Sequence, residues 1–211
     1  MGLTRDLGRR IDLISMDSWF HDISIGLYQE KRNETTDYLV HSYSQIRGTE
    51  KHLESVTQRM ATLGGLEVKG GRLRFSCGEA HELACRRVFV ETCKVDPAAK
   101  VKARPLVVFD KKSDRNVTVS ASGHGVYRIV GEGAEARVVQ RRLAVGAGLV
   151  KLGQMEWVEL NGDRFAFTCR KCHESLVGLL LVRALNVRGA EREQEMLEAR
   201  GRLLAPSTQK E

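Results

Sequence analysis

The sequence predicts an α+β fold made of two internally duplicated ββαββα units, in which antiparallel sheet packs on helices and the halves are related by a pseudo-twofold axis. Two observations carry this prediction. A segment of the chain occurs twice, and in each copy short apolar runs around turn residues are followed by runs of helical period. The 211 residues, 42% of them hydrophobic and 29% charged, are enough for one large or two small globular domains.

The duplicated segment reads LEVKGGRLRFSCGEAHE at residues 66–82 and VELNGDRFAFTCRKCHE at residues 158–174. Aligned without a gap, the copies share seven of 17 residues, whereas unrelated segments would share about one. The identical pairs are Glu67/Glu159, Gly70/Gly162, Arg72/Arg164, Phe75/Phe167, Cys77/Cys169, His81/His173 and Glu82/Glu174. We interpret the pair as one duplicated domain, because two copies are too few for a solenoid.

The first unit contains two hairpins and two helices. Its predicted elements, in order, are strands 23–28 and 38–43, helix 50–63, a hairpin over 66–76 and helix 79–92. Thr49 can cap the first helix, in which Leu53, Val56 and Met60 recur at helical spacing. Gly70-Gly71 provides the turn of the second hairpin, since both residues accept a positive φ.

The second unit repeats this order. Its predicted elements are strands 106–109 and 117–121, helix 135–152, strands 157–160 and 164–168, and helix 171–185. Asn161-Gly162 is the strongest short hairpin signal in the chain. The last helix is apolar almost all round, which predicts a central place in the core.

The predicted boundaries follow from these elements. They are an N-terminal arm (1–18), repeat one (19–96), a linker (97–105), repeat two (106–188), and a charged C-terminal helix with a fraying tail (189–211).

The chemically most informative pattern is Cys-x3-His, which stands at a predicted strand-to-helix junction in both copies. Cys77 and His81 form one pair, and Cys169 and His173 form the other. If a pseudo-twofold brings the junctions together, the four side chains complete a Cys2His2 zinc site. The leading hypothesis is therefore a soluble zinc-binding protein whose site is shared between the repeats. The alternative is that the cysteines fill gaps in the core and the histidines are ordinary polar partners.

The second copy also contains Cys169-Arg170-Lys171-Cys172-His173, which reads as C-x-x-C-H. By itself this motif is typical of covalent haem attachment or of a redox pair. The first copy has Ala80 where the second has Cys172, yet it keeps the first cysteine and the histidine. The shared pair therefore explains the pattern better than haem does, and Cys172 remains an additional candidate ligand.

A second hypothesis is a cofactor-free isomerase or epimerase that uses Cys77 and Cys169 as acid and base. A cysteine at a helix N-terminus lies at the positive end of the helix dipole, which favours the thiolate. Two such cysteines in a duplicated fold resemble, in outline, racemases and epimerases of the diaminopimelate type. Cys77-Gly78 matches that outline, whereas Arg170 stands where a glycine would follow the second cysteine.

Composition limits the remaining classes of function. The absence of an apolar run near 18 residues argues against a membrane-spanning helix, and no secretory signal is recognisable, so a reducing cytoplasm is expected for the five cysteines. The formal net charge of +7 permits nucleic-acid binding, but the aromatic residues are not interleaved with the basic doublets. A non-catalytic interaction module, in the form of a homodimer or a nucleic-acid-binding protein, is the third hypothesis.

Overall fold

In the part of the chain that the structure describes, two five-stranded antiparallel sheets and four helices form an α+β fold. In a computed structural model, the chain is described for residues 10–17, 24–32, 34–43, 48–96, 99–111, 114–121, 125–131, 136–153, 158–161, 164–167, 169, 171 and 173–186. The C-terminal helix predicted over residues 189–204 lies outside these ranges.

The first sheet has the strand order β1-β2-β3-β5-β4. Its strands are β1 (Arg10–Asp17), β2 (Ser24–Arg32), β3 (Thr35–Ser42), β4 (Glu67–Lys69) and β5 (Arg72–Arg74). Helix α1 (Thr49–Gly64) precedes the β4–β5 hairpin, and helix α2 (Glu82–Cys93) follows it. The hairpin turns at Gly70-Gly71, whose φ angles of 58° and 73° confirm the positive-φ turn that the sequence predicts.

The second sheet has the corresponding order β6-β7-β8-β10-β9. Its strands are β6 (Val107–Asp110), β7 (Arg115–Ala121), β8 (Val126–Gly131), β9 (Val158–Asn161) and β10 (Arg164–Phe167). Helix α3 (Ala136–Gly153) precedes β9, and helix α4 (Glu174–Leu185) follows β10.

The predicted ββαββα order is wrong by one strand in each sheet, because the observed order is βββαββα. Strand β1 lies within the predicted N-terminal arm. A register shift between Asp12 and Ile14 buries both Leu13 and Ile14, which removes the alternation that marks a strand. Strand β8 does alternate, with Tyr127 and Ile129 buried, but the glycine-rich stretch before it obscures its start.

Helices α2 and α4 begin three residues later than predicted, at Glu82 and Glu174. In both cases the residue before the helix, His81 or His173, is the N-cap. The cysteines therefore lie ahead of the helices and not on them, each four residues before the N-cap histidine.

The helices of the two sheets share one core. Helix α1 packs against both α2 and α4, and α3 packs against both α4 and α2. Glu91 of α2 and Arg183 of α4 form an ion pair across this contact. Helix α4 has the central position that its apolar sequence predicts, and its buried residues are Leu176, Val177, Gly178, Leu179, Leu180, Leu181, Ala184 and Leu185.

A close backbone approach fixes the segment before β6 against α4. A Cβ atom added at Gly178 would lie 2.4 Å from the carbonyl oxygen of Arg104 and 3.1 Å from that of Pro105. Only glycine fits there.

Among the described residues, no helix combines the length and the apolar character that crossing a membrane requires.

We expect Gly178→Ala to lower the free energy of unfolding by about 1–3 kcal/mol, because the new methyl group overlaps backbone atoms that cannot move aside. Denaturant titration measures this loss. Gly148→Ala is the matched control, since its nearest contact is the Cβ of Ala184 at 3.3 Å and the gain in helix propensity, about 1 kcal/mol, offsets the tighter packing. Equal losses in the two variants would contradict the close approach at Gly178.

Candidate metal centre

The site forms where the last strand of each hairpin passes into the following helix. Strand β5 leads into Phe75, a turn containing Cys77, and then His81 at the start of α2. Strand β10 ends at Phe167 and leads to Cys169 and then to His173 at the start of α4. Each junction thus presents one thiol and one imidazole.

The turn around Cys77 is built by its neighbours. The Gly78 amide donates to the Phe75 carbonyl at 2.8 Å, and Gly78 takes a φ of 75°, a value that residues with a Cβ rarely adopt. The Gly78 carbonyl accepts the Thr36 amide at 3.0 Å, which ties the turn to β3. Residue 170, which follows Cys169 in the same way, lies outside the described ranges.

Two buried tyrosines hold the backbone of the two histidines in place through hydrogen bonds. The backbone amide of His81 donates to the hydroxyl oxygen of Tyr38 at 2.9 Å, and that of His173 donates to Tyr127 at 2.6 Å. Both phenol rings are fully buried, on β3 and β8. Each hydroxyl satisfies an amide at a helix N-terminus that the helix itself leaves without an acceptor.

The four residues singled out in the sequence converge. Their sulfur and ring-nitrogen atoms all lie within 4.8 Å of one another. Cys77 Sγ is 3.1 Å from His81 Nε2, Cys169 Sγ is 3.1 Å from His173 Nε2, and Cys169 Sγ is 3.6 Å from His81 Nε2. This group could hold a metal ion. Cys172, the additional candidate ligand, lies outside the described residues.

Aromatic rings enclose the imidazoles. Phe75 meets His81 edge to face with centroids 4.9 Å apart, and Phe167 meets His173 in the same way, also at 4.9 Å. The crossed pairs lie at 5.7 and 5.8 Å, and the two imidazoles themselves at 4.8 Å. The histidines are only 2% and 6% exposed, whereas both thiols are half-buried. The cysteines are therefore the more exposed members of the group.

Burial sets the protonation of these groups. Desolvation lowers the pKa of His81 to about 4, with a further contribution from His173, and lowers the pKa of His173 to about 4 as well. Both imidazoles are thus neutral near pH 7 and have a nitrogen lone pair for a metal. Desolvation also raises the pKa of Cys77 to about 11, which is opposite to the thiolate that an acid/base mechanism predicts.

Coordination of one metal ion by these four donors is geometrically possible. With metal–sulfur and metal–nitrogen bonds near 2.3 and 2.0 Å, neighbouring ligand atoms are about 3.6 Å apart, and the three sulfur–nitrogen distances of 3.1–3.6 Å lie close to that value. Two thiolates balance a divalent charge. A neutral complex suits a site next to two helix N-termini, where an uncompensated cation would be repelled.

Sequence reasoning missed the tyrosines and gave no role to the phenylalanines, although Phe75 and Phe167 are identical in the two copies. Tyr38 and Tyr127 lie outside the duplicated segment and 43 and 46 residues before their histidines, so a gap-free alignment does not pair them. Glu82 pairs with Arg86, its neighbour one turn along α2.

No protein-family model, curated protein or solved structure matched the chain. The interpretation of the centre therefore rests on its own geometry and chemistry.

In the metal-free protein, we expect the free energy of unfolding to fall as the pH is lowered from about 6.5 through about 4. The folded pKa of each histidine lies below its unfolded value of 6.5, so protonation favours the unfolded chain, by up to about 3 kcal/mol for each histidine. Denaturant titrations in chelator across this range measure the slope. The double variant His81→Gln, His173→Gln should show a shallower slope, and an unchanged slope would contradict the burial of neutral imidazoles.

Tyr127→Phe should cost about 1–3 kcal/mol of unfolding free energy, because the buried amide of His173 loses its acceptor. Thermal and denaturant unfolding measure the loss. Tyr43→Phe is the control: its hydroxyl donates to Asp12 on a ring that is 45% exposed, and a surface change of this kind stays within about 0.5 kcal/mol. Equal effects of the two variants would remove the role assigned to Tyr127.

Proposed function

We propose that the protein binds one zinc ion through Cys77, His81, Cys169 and His173, and that the ion is structural. The observation that carries this proposal is the convergence of all four donor atoms within 4.8 Å, from two junctions far apart in the chain. The ion would join the end of β5 in the first sheet to the end of β10 in the second.

The donor chemistry favours zinc over other common ions. Two thiolates with two imidazoles in a tetrahedron form a set that zinc prefers, whereas magnesium and calcium take oxygen ligands at higher coordination numbers. Four protein ligands fill the coordination sphere, which is typical of structural zinc sites. Catalytic sites keep a position for water.

A duplication with a pseudo-twofold axis through the site is part of the proposal. The two copies are offset by 92 positions, so a contact between residues 92 positions apart joins equivalent places in the two halves. Three such contacts support the proposal: Cys77 with Cys169, His81 with His173, and Glu91 with Arg183. The matching strand orders of the two sheets and the matching roles of Tyr38 and Tyr127 are further support. In this arrangement each half supplies two ligands and neither half has a complete site.

Zinc-loaded protein should contain one zinc ion per chain by elemental analysis, and cobalt(II) in its place should give the ligand-field bands of a tetrahedral ion together with thiolate-to-metal charge transfer. Cys169→Ser and His81→Gln should each weaken zinc binding by more than about 100-fold, because each removes a direct ligand. Removing a residue that only orients a ligand already lowers metal affinity by about 10–100-fold. Competition with a chromophoric chelator measures the affinity.

Two controls separate the proposed ligands from the other thiols. Cys93→Ala changes a half-buried cysteine that does not belong to the cluster and should leave zinc affinity unchanged. Cys172→Ser should do the same if four ligands suffice, whereas a loss of affinity would show that Cys172 takes part. Protein that folds identically with and without chelator and never retains zinc would overturn the proposal.

A further inference from the structure

We infer that Cys77 and Cys169 are a redox pair, which a hydroperoxide converts to a disulfide that displaces the zinc ion and keeps the two sheets joined. This inference rests on the proposed zinc site. It concerns what the same two sulfur atoms do when the ion leaves.

The first requirement for forming a disulfide is that the two sulfur atoms lie close together, and this pair meets it although the residues are far apart in the chain. Both sulfur atoms belong to the group whose donor atoms lie within 4.8 Å, and both cysteines are free thiols. Neither lies on a helix, since each precedes the N-cap histidine. Two sulfur atoms within 4.8 Å of each other need only a small backbone adjustment to reach the S–S bond length of about 2 Å.

Access is the second requirement. His81, His173, Phe75 and Phe167 are each 6% exposed or less, whereas Cys77 and Cys169 are only half-buried. We therefore expect a small peroxide to reach the cysteines before it reaches the histidines. Cys85, by contrast, is fully buried in the core and lies outside the cluster.

The reaction balances with a hydroperoxide as the oxidant. One thiolate attacks the O–O bond, forming a sulfenic acid and releasing water or an alcohol once the leaving oxygen takes a proton. The second thiolate attacks that sulfur, forms the S–S bond and releases the sulfenic oxygen as water after protonation. In total, two thiolates, one hydroperoxide and two protons give one disulfide, one water and one water or alcohol, and two electrons pass from sulfur to the peroxide.

The product cannot hold zinc as before, because disulfide sulfur is no longer a thiolate ligand and only two imidazoles remain. The new bond nevertheless joins the same two places as the ion, the end of β5 and the end of β10. A cross-link between residues so far apart in sequence restricts the unfolded chain strongly. The oxidised metal-free protein should therefore unfold at a higher temperature than the reduced metal-free protein.

The test treats the zinc-loaded full chain with hydrogen peroxide, and follows zinc release with a colorimetric chelator and disulfide formation by non-reducing peptide mapping. We expect one zinc ion released for each Cys77–Cys169 disulfide formed, the same result in Cys172→Ser and in Cys93→Ala, and rebinding of zinc after treatment with a dithiol. The unfolding temperatures of the oxidised and reduced metal-free forms are then compared.

Three results would overturn the inference: a Cys169–Cys172 or intermolecular disulfide, release of zinc with both sulfurs carried to sulfinic acid, or equal unfolding temperatures for the two metal-free forms. A failure of the proposed function is recognised separately. In that case the untreated protein holds no zinc, while peptide mapping of the metal-free chain still reports whether the two sulfurs form their bond.

Discussion

Two imidazoles held neutral in a nearly dry aromatic enclosure are the constraint on which the rest of the structure depends. His81 and His173 contact each other and both phenylalanines, so each junction completes the environment of the other. Neither imidazole can be protonated there without a large cost, which explains why their pKa values lie near 4. A metal ion bound there would use the ring-nitrogen lone pair that burial keeps free of a proton.

The surrounding fold delivers these groups with little freedom. Each histidine is at once an N-cap, a partner of a buried tyrosine hydroxyl, and the last residue of a short connection from a core strand. Helix α2 then packs against α3 and α4, and α4 packs against α1 and α2. The Glu91–Arg183 ion pair lies farther along the same two helices. The geometry of the site and the packing of these helices therefore depend on each other, so that a metal at the site would stabilise the whole molecule and not one loop.

The parts of the fold that the sequence did not predict have identifiable physical reasons. A β-bulge in β1 buries adjacent residues, Leu13 and Ile14, and so hides the strand period. Strand β8 was missed because its alternation follows directly on a glycine-rich stretch. The spacing of apolar residues could not predict the first residues of α2 and α4. At both helix starts the backbone amide of the N-cap histidine donates to a tyrosine hydroxyl from another part of the sheet, which is a contact distant in sequence.

Local sequence determined most of the elements and the candidate ligands. Turn glycines, helical period and the two copies of Cys-x3-His are properties of contiguous segments, and local rules for φ angles and side-chain spacing suffice to interpret them. Only the tertiary structure decided that Cys77 and Cys169 come together. It also decided that the neighbouring histidines are buried while the cysteines are half-buried, and that burial raises the pKa of the Cys77 thiol. Proximity and desolvation arise from the packing of two distant junctions, and neither is encoded in any short stretch of the chain.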